Sequence, residues 1–233
     1  NIANAKELFQ SKLNAIFSQK GDGWEEKSLG EIGKVSMCKR VLKKDTTPHG
    51  EIPFYKIGTF GKKADAFIPQ KVFDEFTSKY SFPKKGDILI SASGTIGRRV
   101  IYDGLTAYFQ DCNIVWINNN EELVTNEYLY QFYGVCDWNP SKGATISRLY
   151  NDDLRRIKIS FPSISEQKQI IPKMEELNIQ TNQIEIHYKQ KLTNLENLKK
   201  SILQKAFAGE LTNKEENVHL KQVAEPTTDY SKN

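Results

Sequence analysis

Cysteine is scarce in this 233-residue chain, and Cys38, Cys112 and Cys136 form no C-x-x-C pair. An odd number without pairing spacing argues against a disulfide framework or a cysteine-based zinc site, and for a reducing compartment. The three histidines, His49, His187 and His219, are equally scattered and have no carboxylate or cysteine at ligand spacing, so no metal centre is expected. They also leave no Ser-His-Asp or Cys-His grouping on which to build nucleophilic catalysis. No apolar run nears the roughly 20 residues that span a bilayer, and no signal peptide is visible, so the expected location is cytoplasmic, with no membrane partner. Hydrophobic residues make up 38% of the chain, low enough that part of it is not core. One medium domain with an appendage is the arrangement this predicts. The chain opens on Asn1 rather than Met, which reads as a fragment, a processed form or a trimmed chain.

What the chain does contain is unevenly placed charge. The formal net charge is +4, yet residues 37–63 alone hold Lys39, Arg40, Lys43, Lys44, Lys56, Lys62 and Lys63 against Asp45 and Glu51. Residues 161–233 are neutral by contrast. A basic patch confined to one region fits a polyanion-binding face, and a mixed-charge neutral stretch fits a solvated helix; a merely hydrated surface is the plainer reading of the first.

Periodicity divides the chain into four parts. In residues 1–19, Ile2, Ala5, Phe9, Leu13, Ile16 and Phe17 fall on one side of a short amphipathic helix that "KGDG" ends. Residues 20–162 are β-rich, with strands expected at "IPFYKI" (52–57), "GDILISAS" (86–93), "RVIYDG" (99–104), "NIVWI" (113–117) and "RIKIS" (156–160), and a helix at "TNEYLYQFYGVC" (125–136). The fold class this predicts is α+β. Residues 163–209 then form a long helix. Ser163 and Glu166 stand at capping-box spacing, and Ile170, Met174, Leu177, Ile184, Tyr188, Leu195, Leu198 and Ile202 trace a heptad seam. Pro172 violates that pattern and predicts a kink or a separate first turn. The polar remainder, 210–233, is expected to be disordered.

At about 1.5 Å per residue the first helix spans roughly 28 Å and the second roughly 66 Å. If the two pair antiparallel, as a coiled coil, more than half of the longer seam has no partner in this chain, which predicts association with another helix.

The strings "GWEEKSLGEIG" (23–33), "GDILISASGTIGRRVIY" (86–102), "KGATISRLYNDDLRRIKISFPSISEQKQI" (142–170) and "LENLKKSILQKAFAGELT" (195–212) together resemble the specificity subunit of type I restriction-modification enzymes. The order is that of one half of such a subunit: a target-recognition domain followed by a spacer helix. The chain departs from the usual pattern in having one recognition domain rather than two. The resemblance implies no catalysis, and double-stranded DNA as ligand, each domain reading one half of a split target. It also implies methyltransferase and restriction subunits as partners, a second half-subunit or copy across the coiled coil, and S-adenosylmethionine and ATP bound by those partners rather than here. The reading from another class is a coiled-coil scaffold with a β-rich protein-binding domain.

"SGTIGRR" (93–99) lacks the phosphate-loop pattern and reads as a tight turn between strands, while Asp152 and Asp153 read as helix-start residues. Tyr55, Phe60, Trp116, Tyr128 and Tyr130 read as core. For DNA reading the useful types are Arg and Lys for phosphates and guanine edges, Asn and Gln for adenine, and Ser or Thr for either. The DNA-binding candidates are therefore Lys39, Arg40, Lys43 and Lys44, the pair Lys62 and Lys63, Arg98 and Arg99 after the glycine turn, and Lys142, Thr145, Ser147 and Arg148 around "KGATISR".

Overall fold

Residues 2–18, 21–139 and 148–212 are described by the computed structural model. Two of the expected strands, β5 (Ile88–Ser91) and β8 (Ile114–Asn119), form the middle of a four-stranded antiparallel sheet, with β2 (Gly33–Ser36) and β6 (Arg99–Ile101) outside them in the order β2-β8-β5-β6. Register is set by the pairs Ser36 with Trp116, Ile90 with Val115 and Ile88 with Ile101. Successive side chains of a strand point to opposite faces, and here both faces are apolar. Ile88, Ile90, Val115 and Ile117 enter one hydrophobic cluster, whereas Leu89, Ile114 and Trp116 enter a second. The sheet is thus a wall between two cores. That is why both strands read as unbroken apolar runs rather than as alternating ones.

The second core is closed by a three-stranded sheet, β4-β3-β7, made of β3 (Ile52–Tyr55), β4 (Phe67–Ile68) and β7 (Tyr108–Phe109), and by α3 (Gln70–Lys79). Phe73, Phe76, Phe82 and Tyr108 pack there edge-on, tilted or stacked, at centroid distances of 5.5 to 6.4 Å. The first core is covered by helices. Phe17 of α1 (Ile2–Ser18) meets Tyr128 and Phe132 of α4 (Asn126–Phe132) edge-on at 5.2 and 5.5 Å. Thr125 caps α4, its hydroxyl accepting from the Tyr128 amide. A separate polar ribbon pairs β1 (Glu25–Ser28) with β9 (Lys158–Phe161). The short α2 (Leu29–Ile32) and α5 (Asn151–Arg156) lie in sequence beside its strands, and Asp152 and Asp153 occupy the first turn of α5 as expected.

The long helix α6 runs Ile164–Phe207, and the Glu166 amide donates to the Ser163 hydroxyl at its start. Gln167 anchors it. This amide is fully buried, accepts from the Thr125 amide at 2.9 Å, and donates to the carbonyls of Leu123 and Pro162 at 2.8 and 2.9 Å. Ile171 and Met174 are buried one and two turns on. Of the two alternatives expected at Pro172, the separate first turn does not occur: α6 is a single helix that contains it. Proline removes the amide that would meet the Lys168 carbonyl, but Pro172 and Lys168 both lie on the exposed side, where that carbonyl is open to solvent.

Backbone contacts divide the chain into two compact units. One is Lys6–Ile179; the other joins residues 2–5 to the chain from Gln180 onward. In the second unit the apolar side chains of α6 are uncovered, from 40% exposure at Tyr188 to 89% at Phe207. The expected disordered tail lies, from residue 213, outside the described residues.

Replacing Gln167 with Leu keeps the volume but leaves two carbonyls and one amide buried without partners. We expect the variant to lose about 3 kcal/mol or more of stability, read as a lowered urea midpoint with an unchanged m-value.

Candidate nucleic-acid interface

Strands β2 and β8 are neighbours, so the segment leaving β2 and the turn entering β8 lie side by side although about seventy residues separate them in the chain. Cys38, 2% exposed, pins the first segment to the core, and burial pushes its thiol up to about 12. Beyond it the chain surfaces as Lys39 and Arg40 and then makes a 3-10 turn, Lys43–Asp45. The facing turn is "QDCN", Gln110 to Asn113, closed by the Ile114 amide donating to the Gln110 carbonyl at 3.1 Å. Within it Cys112 has φ +58°, a left-handed conformation that costs an L-residue about 1 kcal/mol. Between the two lies a groove of about 510 Å³ lined in part by Arg40, Lys43, Lys56, Asp111 and Arg148.

Four cations and one carboxylate make this groove positive, but not all the cations are free. Lys56 meets Asp65 at 2.8 Å, and the Nη2 of Arg148 donates to the Cys112 carbonyl at 3.4 Å. Arg40 donates through Nε to Oδ2 of Asp111 at 2.7 Å, and Cys112 lies alongside the same guanidinium. Lys43 and Lys44 are exposed and have no acidic partner among the described residues. Two amides also face the groove. The Oε1 of Gln110 accepts from the Ile57 amide, and the Oδ1 of Asn113 accepts from the Ser93 hydroxyl, each at 2.9 Å.

The structure gathers some of the candidates and separates others. Lys39, Arg40, Lys43, Lys44 and Arg148 cluster at or beside the groove, with Lys39 Nζ 4.7 Å from the centre of the Tyr80 ring. Lys62 instead lines a second cavity, of about 240 Å³, together with Pro53 and Tyr55. Phe54 and Lys56 line the first, so alternation along β3 puts the two cavities on opposite faces of the strand. Lys63 is exposed beside Lys62.

Arg98 and Arg99, both half-buried, are engaged within the domain. The Nη1 of Arg98 donates to the Phe60 carbonyl at 2.9 Å, and the Arg99 guanidinium stacks over Tyr130, 4.4 Å from the ring centre. Arg99 also packs so closely on Gly134 that a side chain there would collide with it. Both arginines tie the β5–β6 turn to the rest of the domain. The turn itself is as expected, Gly94 and Gly97 taking φ of +66° and +80°. Lys142, Thr145 and Ser147 lie outside the described residues.

Lys56, Gln110, Asp111 and Asn113 were absent from the candidates. Their signal was available in part: "QDCN" is a polar interruption directly before the apolar run "IVWI".

Comparison with known proteins bears on what this groove belongs to. The type I restriction modification DNA specificity domain matches residues 21–196. The chain belongs to that family. A curated relative from Haemophilus influenzae, named as type I restriction enzyme specificity subunit S.HindORF215P, is 58% identical over 156 residues, 67% of this chain and 40% of that one. The EcoBI specificity subunit of Escherichia coli is 28% identical over 151 residues, 61% of this chain and 32% of its own. This chain of the type I specificity family therefore spans less than half the length of these relatives. Among solved structures, a chain from a type I R-M system, studied for its assembly and conformational transition, superposes with TM-score 0.72 at 20% identity, covering 88% of this chain and 52% of that one. The HsdS subunit from Thermoanaerobacter tengcongensis gives 0.60 at 21% identity, covering 89% and 52%. At such identities the likeness is one of fold.

Because Arg99 acts within the domain, Arg99→Ala should cost about 1 to 2 kcal/mol of stability through the lost ring contact and packing, whereas Lys63→Ala should leave the urea midpoint essentially where it was. Equal midpoints for the two variants would contradict this division.

Proposed function

We propose that this chain is the DNA-reading part of a type I restriction-modification specificity subunit, recognising one half of a bipartite duplex target and carrying no chemistry of its own. The observation that carries the reading is the groove lined by Arg40, Lys43 and Arg148, with Lys43 and Lys44 free of ion pairs among the described residues, in a chain of the specificity family. Unpaired exposed lysines are point charges suited to phosphates, and each counterion they release adds salt-sensitive affinity without sequence preference. Base-edge contacts in the groove then supply discrimination.

In this reading α6 is a spacer. Its uncovered apolar residues, Ile184, Tyr188, Leu195, Leu198 and Ile202 among them, pair with a second helix, from another copy or from a second half-subunit. The pair sets the distance between half-sites and docks methyltransferase subunits, which bind S-adenosylmethionine, while ATP belongs to the restriction subunits.

Three outcomes test it. The purified chain should bind random duplex DNA with an affinity that falls steeply as salt rises; Lys43→Ala with Lys44→Ala should weaken binding to all sequences alike and lower the slope of log K against log salt by about 1 to 2. Bound duplex should shield the half-buried Cys112 from alkylation by iodoacetamide. In sedimentation, the chain should associate as concentration rises, and Leu195→Asp with Leu198→Asp should abolish that association. Absence of salt-dependent binding at low ionic strength would sink the DNA reading; a monomer at every concentration would sink the pairing of α6 by a second copy.

A further inference from the structure

We infer that Arg40, braced by Asp111, is a base-specificity determinant of this domain and reads the guanine edge of its half-site. The inference rests on the DNA-reading role proposed above and adds which side chain discriminates, and for which base.

The geometry of the pair carries the argument. Arginine can meet a carboxylate through its two terminal nitrogens, which uses up its fork. Here Asp111 instead takes the Nε proton, at 2.7 Å, leaving the edge formed by Nη1 and Nη2 directed away from it. Asp111 is sunk in the groove, its side chain 13% exposed, while Arg40 is 65% exposed. A rooted carboxylate thus holds a solvent-facing fork in one orientation. Two parallel N–H donors in a plane match the O6 and N7 acceptors that guanine shows in the major groove.

A phosphate could take the same fork, but Asp111 argues against it. A second anion next to the carboxylate is repelled, and a guanidinium already hydrogen-bonded to a carboxylate has part of its charge compensated. A neutral pair of acceptors suffers neither penalty. Lys43 and Lys44, which form no ion pair among the described residues, are the groups placed for phosphate.

The other polar groups in the groove are less suited to reading a base. Adenine recognition needs an amide that accepts and donates at once, but the oxygens of Gln110 and Asn113 are each aimed at an internal donor, the Ile57 amide and the Ser93 hydroxyl, which leaves at most one lone pair apiece for a base. Arg148 engages a terminal nitrogen with the Cys112 carbonyl, which occupies part of its own fork. Arg40 has, besides Asp111, only the weakly accepting sulfur of Cys112 alongside its guanidinium, so its terminal N–H donors stay the most available in the groove and its orientation is held by Asp111.

The test is selection of bound duplexes from a random library by the full chain, followed by affinity measurements in which each selected guanine is replaced singly by 7-deazaguanine, which lacks the N7 acceptor. We expect one position where this change weakens the unaltered protein by about 5- to 150-fold. In Arg40→Lys, which keeps the charge but not the fork, that ratio should collapse towards one. In Asp111→Asn, random duplex should bind more tightly, because a repelling charge is gone, while the guanine ratio falls because the brace is weakened. Circular dichroism checks that both variants are folded, and Arg40→Lys, at an exposed site, keeps the test open if Asp111→Asn is not. Selected sequences without a sensitive guanine, or a guanine equally sensitive in Arg40→Lys, would overturn the inference. So would uniform weakening of all sequences by Arg40→Lys, which marks a phosphate contact; in these three cases the DNA-reading role itself stands. Failure of the unaltered chain to bind any duplex would instead remove that role, and the inference with it.

Discussion

Burial of the β2-β8-β5-β6 sheet on both faces is the constraint from which the rest of the domain follows. Leu89, Ile114 and Trp116 look into one core and Ile88, Ile90, Val115 and Ile117 into the other, so a shift of one residue in register would exchange the contents of the two. The pairing of β2 with β8 is therefore strongly determined. That pairing brings the segment from Cys38 to Thr46 alongside the turn from Gln110 to Asn113, and the groove is a consequence of it. Cys38 and Ile114, both buried in the same core, hold the two sides of the groove from beneath. A polar site on irregular backbone is thus fixed by apolar residues on regular backbone.

The same constraint explains which parts of the fold could be read from the chain. A strand buried on both faces is a conspicuous apolar run, and β5 and β8 were expected within a few residues of where they stand. β1 was not, because "EEKS" is polar and pairs only with β9 in a ribbon whose charged side chains, Glu26 and Lys158, meet across it at 3.2 Å. The strands β4 and β7 are two residues each, too short to show a period. Helix α3 was overlooked although Phe73 and Phe76 lie a turn apart, since aromatic residues between Pro69 and Pro83 fit strand chemistry as well. At Pro172 the chain stays in one helix rather than starting a new one: a helix-breaking residue is tolerated where its face is exposed and the neighbouring turns are anchored by Gln167, Ile171 and Met174.

For the site, charge was legible and pairing was not. Counting basic residues between 37 and 63 found the stretch that lines the groove but could not tell Lys43, which has no ion pair among the described residues, from Lys56, which Asp65 engages. Nor could spacing reveal the internal contacts of Arg98 and Arg99, because the Phe60 carbonyl, Tyr130 and Gly134 come from other parts of the chain. Contacts between residues far apart in sequence depend on the packing of the two cores. The resemblance to specificity subunits was carried by ordered strings rather than by any one of them, and it pointed to the family that the match over residues 21–196 shows.

In the proposed role, one carboxylate among four cations divides affinity from discrimination. Were tight binding of polyanions the sole requirement, Asp111 would be a defect, since it lies in the groove and opposes every phosphate that approaches. Its hydrogen bond to Arg40 gives the opposite benefit: a long, flexible side chain, which would lose up to about 2 kcal/mol of rotamer entropy on being ordered by a ligand, is ordered beforehand. The left-handed Cys112 next to it fits the same view, a locally strained residue held in place by the packed strands on either side. In the proposed role, the lysines outside the carboxylate's reach supply attraction common to all duplexes. The groove, less positive than it would be without Asp111, is left to distinguish among them.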